Sequence, residues 1–69
     1  MSDAKIYVDG DRRAILHVGT VATDYSTLRD AVKAWHNLRP ELARNASIRV
    51  IGGAMYTAAE ILKLHYIKE

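Results

Sequence analysis

Cysteine is absent from this 69-residue chain, which removes disulfide-stapled scaffolds, Cys-type zinc fingers and thiol nucleophiles at once. The start, Met1-Ser2-Asp3-Ala4-Lys5, has no basic stretch leading into an apolar one, the pattern of a secretory signal. No apolar run approaches the ~20 residues that span a membrane as a helix. Linkers, internal repeats and low-complexity stretches are missing as well. Strong charge is lacking too: the net formal charge is +2, far from the basic footprint of a dedicated duplex-DNA binder. These absences lead to the expectation of a complete, cytoplasmic chain forming a single small globular domain over residues 1–69, with no membrane partner.

What is present is an apolar composition, 49% hydrophobic against 26% charged, so the chain is not of a disordered type. A domain this small buries only roughly 60% of the surface its unfolded chain exposes. With no covalent staple, stability must come from apolar residues, from a partner chain, or from both.

Residues 5–9 alternate, with Ile6 and Val8 on one side and Lys5, Tyr7 and Asp9 on the other, the period of a half-buried strand. Asp9-Gly10-Asp11 is a hairpin-turn signal. Residues 13–18 then read as the returning strand, with Ala14, Leu16 and Val18 opposite Arg13, Ile15 and His17, ended by Gly19-Thr20. From 24 to 38 the period changes. Leu28, Ala31, Val32, Trp35 and Leu38 form one helical stripe, preceded by the capping candidates Asp24, Ser26 and Thr27. Arg39-Pro40 stops that helix, and Pro40 can start a short extra turn to Arg44. Residues 47–51 alternate again before Gly52-Gly53. Thr57 and Glu60 have capping-box spacing ahead of a helix running to about Ile67.

The expected fold class is therefore α+β: a two-layer ββαβα domain, an N-terminal β-hairpin plus a third strand, with both helices on one face of a three-stranded sheet. A right-handed crossover would set the third strand parallel to the second, with the second at the centre. A sheet with the first strand central and antiparallel pairing throughout is the other arrangement. The expected core is Ile6, Val8, Ala14, Leu16, Val18, Ile48 and Val50 against Leu28, Val32, Trp35, Leu38, Ile61 and Leu62.

The same alternation names what the helices leave uncovered: Tyr7, Arg13, Ile15, His17, Arg49 and Ile51, together with Lys5 and Asp9. Solvated sheet faces read polar at alternate positions, whereas this one mixes Tyr and Ile with Arg and His. It fits a solvated face with stray apolar residues, an interface for a second copy or another protein, or a platform for nucleic acid built on Tyr7, Arg13, His17 and Arg49. Residues 39–50 hold the whole positive excess, with Arg39, Arg44 and Arg49 against Glu41, so Arg39 and Arg44 form a candidate basic cluster beside that face. Strand edges offer a further route to pairing with another chain.

Other chemistry has simpler explanations. His17, His36 and His65 fall on separate elements rather than at ligand spacing, so no metal site is expected. Asp9 and Asp11 are accounted for by the turn. Gly52-Gly53 before a helix start gives a candidate anion site at Gly53, Tyr56 and Thr57, although the longer phosphate-loop spacings are missing. No nucleophile, base and acid group together. The sequence points to a binding or structural module rather than an enzyme, without cofactor, whose partner is itself or another protein through the open sheet face. Nucleic acid is the alternative partner.

Overall fold

The computed structural model describes residues 5–67. Six strands and three helices follow in chain order: β1 (Ile6–Val8), β2 (Ala14–Val18), β3 (Val21–Tyr25), α1 (Leu28–His36), α2 (Pro40–Arg44), β4 (Ser47–Val50), β5 (Met55–Thr57), α3 (Ala58–Ile61) and β6 (Leu64–Tyr66). The class is mixed α+β, as expected, but the three-strand, two-helix arrangement is replaced by two open sheets. One has four strands in the order β3-β2-β4-β5, and the other pairs β1 with β6.

The hairpin is displaced along the chain from the expected one. Gly19 has φ of +61°, the positive angle that a two-residue hairpin loop takes at its first central position when an ordinary residue follows. Gly19-Thr20 therefore does not simply end β2. It folds β3 back onto β2, pairing Val18 with Val21 and Ala14 with Tyr25. Gly10 does not have a positive φ, so Asp9-Gly10-Asp11 is not a primed hairpin turn. It is a turn closed by the Arg12 N–H donating to the Asp9 carbonyl at 3.3 Å and held by the Asp11 N–H donating to Asp9 Oδ1 at 3.0 Å, and it carries the chain from one sheet to the other. Gly10 is required there for close approach. A Cβ on it would lie 2.7 Å from Tyr66 Cδ1 and 3.0 Å from Arg29 Cγ.

The extra strand also reverses the expected direction of β4. Since β3 has already turned the chain back, the passage through α1 and α2 returns β4 antiparallel to β2, with Leu16 opposite Ile48. β2 does take an interior place, with β3 on one side and β4 on the other. The start of the helix also moves. Thr27 is its N-cap, accepting from the Asp30 N–H at 3.2 Å, while Asp24 belongs to β3.

The core forms where the sequence stripe places it. Leu28, Ala31, Val32 and Trp35 of α1 are buried against Ala14, Leu16, Ile48 and Val50 of the large sheet, joined by Val8, Ala46 and Ile61. The Trp35 indole N–H donates to the Ala43 carbonyl at 2.9 Å, which ties α1 to α2.

The last segment departs furthest from expectation. The helix ends at Ile61, Leu62 is 67% exposed instead of buried, and residues 64–66 become a strand. Among the described residues β1 has no other strand for its backbone groups: the Ile6 N–H donates to the Lys63 carbonyl and the Ile67 N–H to that of Val8. Satisfying those groups outweighs extension of a helix whose next residues, Leu64-His65-Tyr66, alternate with period two.

Candidate functional site

Register fixes which side chains share the uncovered side of the four-stranded sheet, because successive residues point to opposite faces. Ile15 stands opposite Asp24 on β3 and Arg49 on β4, and Arg49 stands opposite Met55 on β5. These four make one row across the sheet. A second row is Ala22, His17, Ser47 and Thr57. Arg13 and Ile51 share the parity of these rows, and the Ile51 N–H donates to the Arg13 carbonyl at 2.9 Å. The buried residues of α1 and α3 belong to the core cluster with Ala14, Leu16, Ile48 and Val50, on the opposite side. Five of the six expected face residues are thus brought together: Arg13, Ile15, His17, Arg49 and Ile51.

Tyr7 is not among them. It lies on β1, in the small sheet, 61% exposed and with its ring 5.9 Å from that of His65. The expectation that Tyr7 and the Arg-bearing strands share a face is overturned, because it required β1 to pair with β2. In its place come Asp24 and Ala22 from the unforeseen β3, Ser47 from β4, and Met55 and Thr57 from β5. The alternation of Val21, Thr23 and Tyr25 with Ala22 and Asp24 was the available signal for the first pair.

The charges on the face are partly paired. Arg13 donates to Asp24 through Nε at 3.2 Å and Nη2 at 2.6 Å. The hydrogen bond from Arg13 holds the Asp24 carboxyl below its ordinary value, and the bond to Asp24 pushes the Arg13 guanidinium above its own. Both are charged at neutral pH. Arg49 makes no ion pair or side-chain hydrogen bond among the described residues. The apolar members are Ile15, half-buried, Ile51 at 44% exposure and Met55 at 53%.

His17 is half-buried between Ala22 and Ser47, and its Nε2 is shielded from solvent without a hydrogen-bond partner among the described residues. An unsatisfied polar atom costs on the order of 1–3 kcal/mol, and an apolar β-branched residue at this strand position carries no such cost. We therefore expect His17→Val to leave the melting temperature unchanged or raise it, by the equivalent of about 1 kcal/mol, in a thermal unfolding scan. A clear loss of stability would show that the ring finds a partner.

Arg39 and Arg44 lie at the two ends of α2, both exposed, with Arg39 as its N-cap. Neither pairs with the row that holds Arg49. The candidate anion site is already occupied from within the chain. The Gly53 N–H donates to the Val50 carbonyl at 2.9 Å, and the Thr57 N–H donates to the Glu60 carboxylate at 2.9 Å. A carboxylate therefore stands where an anion would bind. His17, His36 and His65 lie apart, His36 edge-on to Trp35 at 5.0 Å. No group of three potential metal ligands converges among the described residues.

Comparison of the chain with protein-family models, curated proteins and solved structures returns no match. No helix among the described residues is long and apolar enough to cross a membrane.

Proposed function

We propose that this protein is a self-associating binding module whose four-stranded sheet packs face to face on the same sheet of a second copy. The observation that carries the reading is the row Asp24, Ile15, Arg49, Met55, whose first three members are complementary to themselves about Ile15. A two-fold axis along the strand direction through Ile15 sets Ile15 on its own counterpart. It also sets each Arg49 opposite the other copy's Asp24, because the two flank Ile15 at one strand spacing each, ~4.8 Å. Two-fold interfaces use one patch twice in this way. Arg49 gains the carboxylate it lacks, while Asp24 bridges Arg13 of its own chain and Arg49 of the other. With the axis on β2 only β3, β2 and β4 overlap between the copies, a contact ~14 Å wide, which buries less than a standard interface, so the dimer is weak and concentration-dependent.

Nucleic acid is the less supported partner. Stacking platforms use aromatic rings, and with Tyr7 elsewhere the only ring on the two rows is that of His17.

Sedimentation equilibrium from about 1 µM to about 1 mM, the range that separates strong from marginal association, tests the proposal. Wild type moves from monomer to dimer across the series. Arg49→Asp and Asp24→Arg each remain monomeric, since each sets like charges opposite one another. Their equimolar mixture dimerises, because in the mixed dimer one cross-face pair is the native Asp24–Arg49 pair and the other is restored with reversed sign. A wild type that stays monomeric throughout, or a mixture that does, rules the reading out. Labelled single-stranded RNA at low salt is the control, and no binding is expected.

A further inference from the structure

A groove of about 470 Å³ runs between α1 and the α3–β6 segment, within the size range of small-ligand sites. It lies on the covered side of the large sheet, away from the self-association face, and stands independently of that reading. Its two walls differ in chemistry. On α1, Arg29, Lys33 and His36 line it together with Asp30, and the i, i+4, i+7 spacing of the first three aligns them on one helical face. Across from them stand Leu62, 67% exposed, and the half-buried Leu64. One wall is predominantly basic, with Asp30 its one carboxylate, and the other is apolar.

The two ends of the basic wall also differ. Arg29 is held in place, donating to Asp11 at 2.6 Å with its guanidinium 4.9 Å from the Tyr66 ring centre. Lys33, one turn further along, makes no ion pair among the described residues. A ligand complementary to this arrangement has a single negative headgroup for Lys33 and a hydrocarbon chain for Leu62 and Leu64. We propose that the groove binds a small anionic amphiphile of the medium-chain carboxylate class, with the carboxylate on Lys33 and the chain along the leucine wall.

The protein carries its own reporter. Trp35 is the only tryptophan, and its ring meets the groove-lining His36 edge-on at 5.0 Å. Sodium decanoate, kept below micelle-forming concentration, is titrated into the full chain while Trp35 fluorescence and the amide shifts of Lys33 and Leu64 are followed. We expect a saturable change in both. Lys33→Glu and Leu62→Asp each weaken it at least tenfold, and both positions are exposed, so neither substitution threatens the fold. Acetate, which has the headgroup alone, and 1-decanol, which has the chain alone, each bind at least tenfold more weakly than decanoate. No saturable response to decanoate, or decanol binding as tightly as decanoate, or a Lys33→Glu variant that binds undiminished, overturns the proposal.

Discussion

Ile48→Ala is expected to destabilise the protein by about 2–5 kcal/mol, the range for truncating a fully buried aliphatic side chain that leaves a cavity. Ile48 has no exposed surface and sits between Leu16 of β2 and Tyr56 of β5, beneath α1. Ordinary domains hold roughly 0.05–0.15 kcal/mol per residue, so a chain this short has little stability in reserve. The loss leaves a large unfolded fraction before any denaturant is added. Urea unfolding followed by Trp35, which is 6% exposed, measures it at one fixed low protein concentration, since self-association would add to apparent stability. Ile51→Ala is the control. That side chain is 44% exposed, and its truncation should cost no more than about 0.5 kcal/mol. Equal costs at the two positions would place Ile48 and Ile51 in equivalent environments and contradict the register, because a one-residue slip exchanges the two faces of a strand.

The same register explains what the sequence could and could not reveal. Periodicity reports which side of its own strand or helix a residue occupies. That was enough to place Leu28, Ala31, Val32 and Trp35 in the core, and to set Ile15, His17 and Arg49 on the side away from Ile48 and Leu16. It carries no information about which strand lies next door. Ile6–Val8 alternates in the same way whether it pairs with β2 or with β6, and the Asp-Gly beside it favoured the nearer partner. Gly19-Thr20 can also form a two-residue hairpin loop, with Gly at its first central position. Its signal was obscured because Asp24, Ser26 and Thr27 read together as capping residues, which hid the five residues of β3.

The two departures from expectation bear unequally on the candidate face. Losing Tyr7 removed the aromatic ring on which the nucleic-acid alternative depended. Gaining β3 brought in Asp24, which pairs with Arg13 inside the chain and, in the dimer proposed above, would give Arg49 a counterpart across the two-fold axis. The open face survived the change of topology because it depends on the parity of β2 and β4, which periodicity does record. The expectation of self-association became more specific for the same reason, since an acid and a base now flank Ile15 in one row.

The parallel pairing of β1 with β6 yields the last large effect. Ending the chain at Leu62 deletes the only strand that pairs with β1 among the described residues, together with the Lys63 carbonyl that accepts from the Ile6 N–H. It strips Leu64 and Tyr66 from around Ile6 and Val8, all of which pack in or against the core. At ~1.5–3 kcal/mol for each large apolar side chain returned to water, the truncated chain should lose on the order of 3–6 kcal/mol. Hydrogen exchange separates this from a general loosening. In the full chain the Ile67 N–H is held by the Val8 carbonyl at 2.8 Å and the Ile6 N–H by the Lys63 carbonyl at 2.9 Å, so the Ile6 amide exchanges slowly. After truncation the ladder is gone, and the β1 amides should exchange at the rate of an unstructured segment. The amides linking β2 to β3 and β4 should keep their order of protection in whatever fraction remains folded. A hairpin between β1 and β2 makes the opposite prediction, because truncation would leave both of its strands intact. Protection of the Ile6 amide in the truncated chain would therefore support that hairpin and exclude the two-sheet topology.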